Sequence, residues 1–253
     1  MGHPPPHLAC LAQHSRVEIK EKASMIEAIT AIVGQDIEMA NRYKVLSDGG
    51  KSELFFAVEK TGFCTRQAKQ CCPDCAPWDL DILYTEGGAN TVAYSLRRDP
   101  TCTCLCFNRP SIEVQDVIVG KRIGSVTDPF ACLALDFTLR GEDLSPALKA
   151  SGGCCQWGLC CPLPCGPCAE VNFPIVDAQS GSDVGHVQKR VPGCCKFLLA
   201  SDVDNYKVDF SGVENPDLKA LILAFSIFLD FRYFSDSGND DDGGLMARII
   251  PKE

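Results

Sequence analysis

Apolar and polar residues alternate in short runs through most of the chain, and turn signals separate the runs. Tyr43-Lys44-Val45-Leu46 alternates, Ser47-Asp48-Gly49-Gly50 turns, and Leu54-Phe55-Phe56-Ala57-Val58 continues, which predicts a β-hairpin. Three further units have the same form. Trp78 to Tyr84 turns at Glu86-Gly87-Gly88 and returns through Thr91-Val92-Ala93-Tyr94. Ile112-Glu113-Val114-Gln115 leads through Gly120-Lys121 to Ile123-Gly124-Ser125-Val126. Ala169-Glu170-Val171-Asn172-Phe173 leads through Ser180-Gly181-Ser182-Asp183 to Val184-Gly185-His186-Val187. Many short strands with glycine and proline turns predict a mainly β fold, either a sandwich or a barrel. Arg16 to Val33 fits strand and helix alike, and its period does not separate them.

One segment breaks the alternation. From Asp217 to Phe234 the chain is apolar on nearly every face, with Leu218, Leu221, Ile222, Phe225, Phe228 and Leu229 prominent, and Pro216-Asp217 suits a helix start. A helix needs about 20 apolar residues to cross a bilayer. The run from Leu218 to Phe234 has 234 − 218 + 1 = 17 residues and includes Lys219, Ser226, Asp230 and Arg232. Lys219 and Arg232 lie near the ends, where long side chains can reach headgroups, but Asp230 must find a partner. A helix that is apolar all round can instead fill the middle of a barrel, and the charges favour that placement.

The flanks differ from this body. Residues 1–15, with Pro4-Pro5-Pro6 and three of the four histidines, are expected to form a short disordered N-terminal tail. Residues 16–235 are expected to form one domain, and residues 236–253 a flexible acidic C-terminal tail. The start lacks the basic and apolar stretches of a secretory signal, and Pro6 stands where a myristoylation motif wants Ser or Thr.

Charge and cysteine content narrow the chemistry. Lys plus Arg is 24 and Asp plus Glu is 33, a net charge of −9, which argues against a nucleic-acid partner. The 17 cysteines are too many to ignore, and their odd number prevents complete internal pairing. Without a secretory signal they are expected in a reducing compartment, as thiols, metal ligands or acylation sites. Clusters precede three of the hairpin units: Cys71, Cys72 and Cys75; Cys102, Cys104 and Cys106; and Cys160, Cys161, Cys165 and Cys168. Glu113 follows Cys104 by 113 − 104 = 9 residues and Glu170 follows Cys161 by 170 − 161 = 9, each opening a Glu-Val pair, which points to an internal repeat. Cys72-x-x-Cys75 and Cys165-x-x-Cys168 have zinc-like spacing, so a thiolate zinc site is a competing reading. A Cys–His or Ser–His enzyme fits poorly, because only His186 lies outside the tail.

Ser201-Asp202-Val203-Asp204-Asn205-Tyr206-Lys207-Val208-Asp209-Phe210 opens with carboxylates two apart, which share one side of a strand. Such a pair can contribute to a Ca²⁺ site, which takes about six to eight oxygens. As an EF-hand loop the match is poor: Tyr206 and Lys207 occupy the fifth and sixth positions, and Val213 stands where a bidentate Glu belongs. An incomplete cage of this kind would bind Ca²⁺ weakly, at roughly high micromolar to millimolar levels.

Taken in order, several segments resemble the phospholipid scramblase family. They are Asn41-Arg42-Tyr43-Lys44-Val45, Phe55-Phe56-Ala57-Val58-Glu59, Cys64-Thr65-Arg66, and Leu96-Arg97-Arg98 with the cluster Cys102, Cys104 and Cys106. Glu113-Val114-Gln115, Ile123-Gly124-Ser125-Val126, the acidic segment from Ser201, and Leu229-Asp230-Phe231 with Tyr233-Phe234 continue the series. The resemblance implies a Tubby-like fold, a closed β-barrel around a C-terminal hydrophobic helix over 217–234. It implies Ca²⁺-dependent, ATP-independent movement of phospholipids between leaflets, which is lipid translocation rather than covalent catalysis. The Ca²⁺ segment would be Asp202, Asp204, Tyr206, Val208 and Phe210, and Cys102, Cys104 and Cys106 would carry palmitate. It further implies a plasma-membrane location with the barrel cytoplasmic. Membrane phospholipids are the implied partners, with a homo-oligomer as a further possibility. The family's long proline-rich N-terminal region is reduced here to a stub, and the cysteine cluster is less contiguous than in the strongest family examples. A competing reading keeps the palmitoylated barrel as a lipid-binding interaction module without transport. Its headgroup contacts would come from Arg97-Arg98, Lys121-Arg122 and Lys189-Arg190.

Overall fold

The computed structural model describes residues 4–21, 41–60, 75–86, 89–103, 106–131, 134–153, 155–160, 170–190 and 205–234. The alternating runs form antiparallel strands: β1 (Arg16–Glu21), β2 (Arg42–Ser47), β3 (Glu53–Lys60), β4 (Trp78–Glu86), β5 (Ala89–Arg98) and β6 (Ser111–Asp116). They continue with β7 (Lys121–Thr127), β8 (Ala134–Arg140), β9 (Pro146–Gly153), β10 (Glu170–Asp177), β11 (Asp183–Arg190) and β12 (Asn205–Asp209). Each strand pairs with the next, and β12 returns to β1, so the sheet closes into a barrel without a free edge. The three helices described are α1 (Pro6–Gln13), α2 (Trp157–Cys160) and α3 (Pro216–Leu229).

The two-residue period decides which side chains face inward. In β6, Ile112, Val114 and Asp116 are buried while Ser111, Glu113 and Gln115 are exposed. In β10, Val171, Phe173 and Ile175 point inward. Gly152 in β9 has no side chain because Phe173 fills its space: a Cβ there would sit 2.5 Å from the ring.

α3 occupies the interior. Asn215 caps its start by accepting from the Asp217 backbone N–H at 2.9 Å, and Pro216 sits in the first turn, where no N–H is needed. Every residue from Lys219 to Leu229 is buried. Leu221, Ile222, Phe225, Phe228 and Leu229 are fully enclosed, and Leu218 packs half-buried against the core. The Phe225 ring lies 4.9 Å from Phe137, and Trp78 stacks on Phe231 at 4.5 Å. Enclosing a side chain of this size contributes about 1.5–3 kcal/mol. Beyond Leu229 the helix widens into a π turn over Asp230–Phe234. The expected closed barrel around a hydrophobic helix is therefore present. No helix among the described residues is long and apolar enough to cross a membrane.

The N-terminal tail departs from expectation. Residues 6–13 are not disordered but form α1, whose His7 and Leu11 are fully buried. These residues are four apart and so share one helical face. His7 Nε2 lies 2.7 Å from the Asp116 carboxylate, and Lys219 Nζ donates to the Leu11, Ala12 and His14 carbonyls at the far end of α1. These partners lie more than 100 residues away, so local composition does not announce them. Arg16 to Glu21 settles as strand, while residues 22–33 lie outside the described residues, as does the acidic tail from residue 236.

Candidate functional site

An up-and-down barrel places alternate connections at the same end. One end, the turn rim, has the short links over 48–52, 117–120, 141–145 and 178–182, and α1 lies against it. The other end receives the long connections over 22–41, 61–77, 99–110, 128–133, 154–169 and 191–204. Of the 17 cysteines only Cys10 precedes β1, and the other 17 − 1 = 16 fall in these long connections. The repeat of cysteines before hairpins follows from this topology, because a unit closed by a short turn always begins at the long-connection end. That end is the cysteine rim.

The sequence-expected site residues converge there in part. Cys102 and Cys106 are exposed in the β5–β6 connection, and Cys104 lies outside the described residues. Cys75 is a half-buried free thiol, whereas Cys72, Cys165 and Cys168 of the zinc-like pairs lie outside the described residues. No group of three or more His, Cys, Asp or Glu side chains among the described residues is placed to hold a metal ion.

The acidic segment enters β12 from the cysteine rim. Asp202 and Asp204 lie outside the described residues. Tyr206, Val208 and Phe210 are buried, at 1%, 1% and 0% exposure, and belong to the core. Their side chains therefore do not fit a Ca²⁺ cage: two have no oxygen, and the Tyr206 hydroxyl donates to the Asp230 carboxylate inside the barrel. Asp209, which points to the opposite face, is engaged by Arg16 at 2.7 Å and by the Ser211 backbone N–H at 2.9 Å.

Beneath the rim lies a buried polar layer. Asp230, fully enclosed, accepts from Tyr43 Oη at 2.7 Å, from Lys189 Nζ at 3.3 Å and from Tyr206. Burial, reinforced by Asp230, holds the Tyr43 hydroxyl well above its ordinary pKa, so it stays protonated and keeps donating. Asp128, 2% exposed, accepts from Arg232 Nε at 2.9 Å and from Tyr233 Oη at 3.2 Å, and Arg109 reaches it at 3.0 Å. Burial and then Asp128 raise the Tyr233 hydroxyl likewise. The charges that looked awkward for a spanning helix, Lys219, Asp230 and Arg232, are thus each matched to a group of the barrel or of α1.

The basic pairs are largely committed. Arg122 bonds Glu113 at 3.0 Å, Lys121 lies between Glu142 and Asp217, and Arg190 meets Glu170. Arg98 and Lys189 are buried. Arg97 is exposed beside Asp99 and lines a surface groove with Lys60, Asp79, Asp81, Glu113 and Gln115, where carboxylates outnumber cations. His186 is half-buried in β11. Sequence reasoning missed three exposed aromatics on the cysteine rim, Phe107, Phe130 and Trp157. They sit in connections between strands, where periodicity gives no signal.

A family model described as Scramblase matches residues 1–236. The chain is 28% identical to phospholipid scramblase 1 of Mus musculus over 249 residues, covering 95% of this chain and 69% of that protein. It is 27% identical to phospholipid scramblase 1 of Homo sapiens over 237 residues, covering 94% and 68%. Against phospholipid scramblase 2 of Bos taurus the identity is 28% over 232 residues, covering 91% and 72%. No solved structure matches. The barrel, the buried helix and the ordered segments from Asn41 to Phe234 accord with a match of that extent, and the chain belongs to the scramblase family.

Proposed function

We propose that the protein moves phospholipids between membrane leaflets in a Ca²⁺-dependent, ATP-independent manner, without covalent chemistry on the lipid. The observation that carries this is the family match over residues 1–236. Palmitate on Cys102, Cys104 and Cys106 anchors the barrel, because several acyl chains together hold a protein stably where one does not. The exposure of Cys102 and Cys106 supports this, since an acyl chain needs an open thiol. The expected location is the cytoplasmic face of the plasma membrane. Ca²⁺ dependence rests on Asp202 and Asp204, because Tyr206, Val208 and Phe210 are committed to the core.

The test is a reconstitution of the full chain into liposomes carrying a fluorescent phospholipid in both leaflets, with quencher added outside. Ca²⁺ is expected to increase the quenched fraction beyond the outer-leaflet half, and Asp202→Ala with Asp204→Ala to blunt that increase. No flip at saturating Ca²⁺ would remove the transport reading. Acylation and placement are read by hydroxylamine-sensitive label and alkaline-carbonate extraction. A lipid-anchored barrel is released into alkaline carbonate once its thioesters are cleaved, because high pH strips proteins held only peripherally at the bilayer surface.

One observation favours a second reading, a lipid-bound interaction module without transport. α3 fills the barrel interior with Phe225, Phe228 and Leu229, all fully buried, so that interior offers headgroups no polar path. Vesicle binding without flip would select this module.

A further inference from the structure

Three large aromatic side chains stand in solvent at one end of the barrel: Phe107 at 70% exposure, Phe130 at 47% and Trp157 at 63%. They lie in the β5–β6, β7–β8 and β9–β10 connections, all of which belong to the cysteine rim. Adjacent strands are about 4.8 Å apart, so these connections are spaced about 10 Å along one arc of the rim. Exposed Cys102 and Cys106 share the connection of Phe107, and exposed Cys155 lies two residues before Trp157. Short-range contacts hold the connections in place. Asp128 N–H donates to the Pro110 carbonyl at 3.0 Å, and the Gln156 side chain bonds the Asn172 backbone at 2.8 and 2.9 Å.

We propose that this arc is a membrane-docking surface, with Phe107, Phe130 and Trp157 inserted into the interfacial region of a lipid bilayer. The inference rests on the membrane reading above and deepens it by assigning the end of the barrel that meets lipid. Trp and Phe suit that boundary because they present large apolar faces, and the indole N–H can remain wet. Inserting this arc also brings Cys102, Cys106 and Cys155, exposed in the same connections, to the membrane surface, where an acyl chain can enter.

The turn rim is the competing surface, with Val117, Ile118, Val119 and Leu144 exposed. Its charge disfavours lipid. Asp48, Glu142, Asp143, Asp183 and Glu214 are exposed there against Lys51 and Arg16, and Lys121 is already held between Glu142 and Asp217. An anionic leaflet repels such a rim. At the cysteine rim the excess of carboxylate is smaller, because Lys60, Arg97 and Arg190 stand against Asp79, Asp99, Glu113 and Glu170.

The experiment uses the full chain, treated with hydroxylamine so that thioester-linked lipid does not contribute, and floated with vesicles of phosphatidylcholine and phosphatidylserine. Phe107→Ser, Phe130→Ser and Trp157→Ser together are expected to weaken partition at least about ten-fold. Val117→Ser, Ile118→Ser and Val119→Ser together are expected to leave it unchanged. Trp157 is the exposed tryptophan of two, Trp78 being 3% exposed, so brominated lipid should quench the wild type and not Trp157→Phe. The proposal is overturned if the wild type does not float, if the aromatic triple variant floats equally well, or if the turn-rim variant loses binding instead. It is also overturned if the aromatic variant changes only self-association in the absence of lipid. Loss of lipid flip with retained flotation would count against the transport reading and leave the docking surface standing.

Discussion

Asp230→Ala tests the seating of the helix most directly. The substitution removes the acceptor of Tyr43 Oη at 2.7 Å, of Lys189 Nζ at 3.3 Å and of the Tyr206 hydroxyl. All four residues are enclosed, with exposures of 0% for Asp230, 1% for Tyr43, 1% for Tyr206 and 4% for Lys189. A hydrogen bond to a charged group is worth about 1.5–3 kcal/mol, and removing one side of a buried ion pair costs about 3–5 kcal/mol. The three contacts share one carboxylate, so the terms do not add, and about 4 kcal/mol is the expected loss. That is a large part of the 5–15 kcal/mol typical of a folded domain. With a urea slope of about 3 kcal/mol/M, the unfolding midpoint should fall by roughly 1.3 M. Trp78, stacked on Phe231 beside Asp230, reports the transition by fluorescence. Asp230→Asn, which keeps the shape and one acceptor, should lose about half as much. A midpoint that drops by less than about 0.3 M would refute the account, because α3 would then not be held in the barrel by this carboxylate. A variant that resists carbonate extraction where the wild type is released would indicate that the helix leaves the barrel for the bilayer.

Three further outcomes follow from particular contacts. Lys219→Met removes the donor to the Leu11, Ala12 and His14 carbonyls and should cost about 1–3 kcal/mol, with faster amide exchange over residues 6–13 while the strands stay protected. Gly152→Ala would place a Cβ 2.5 Å from the fully buried Phe173 ring, so overpacking of about 1–3 kcal/mol is expected from thermal unfolding. The Asp177 carboxylate is held below its ordinary pKa by Ser180 and Gln179 N–H donors in the β10–β11 turn. A depressed folded value means this stabilisation is present above the unfolded pKa and fades as pH falls through the folded one. The stability difference between wild type and Asp177→Asn, followed by urea titration at successive pH values, should therefore shrink towards zero in acid.

Much of the architecture was legible because the two-residue period is a local property. Trp78 to Tyr94 and Ile112 to Val126 alternate as β4–β5 and β6–β7 do, since a strand with one buried face must place apolar residues at every second position. The β8–β9 unit passed unread. β8 alternates cleanly through Leu135, Phe137 and Leu139, but the inward face of β9 shrinks from Leu148 to Ala150 to Gly152, where the space of the missing side chain is filled by Phe173 from β10. The Cys102–Cys106 cluster and the acidic segment were found as patterns. That Tyr206, Val208 and Phe210 face inward follows their alternation with Lys207 and Asp209, but that Tyr206 meets Asp230 there depends on closure of the barrel around α3, which no local pattern encodes.

By itself, then, the sequence determined the strand-and-turn grammar, the single all-round apolar helix and the crowding of cysteines before hairpins, because each depends on neighbours within a few residues. The tertiary structure decided where these features meet. Closure of β12 on β1 brought Cys75, Cys102, Cys106 and Cys155, from three separate connections, to one end of the barrel. It also supplied partners for the charges that made the helix ambiguous. Tyr43, Lys189 and Tyr206 reach Asp230 across sequence separations of 187, 41 and 24 residues. His7 meets Asp116 across 109, which turned an apparent tail into a docked helix. A buried charge is tolerated only where such a partner stands, and closure of the barrel is what brings those partners together.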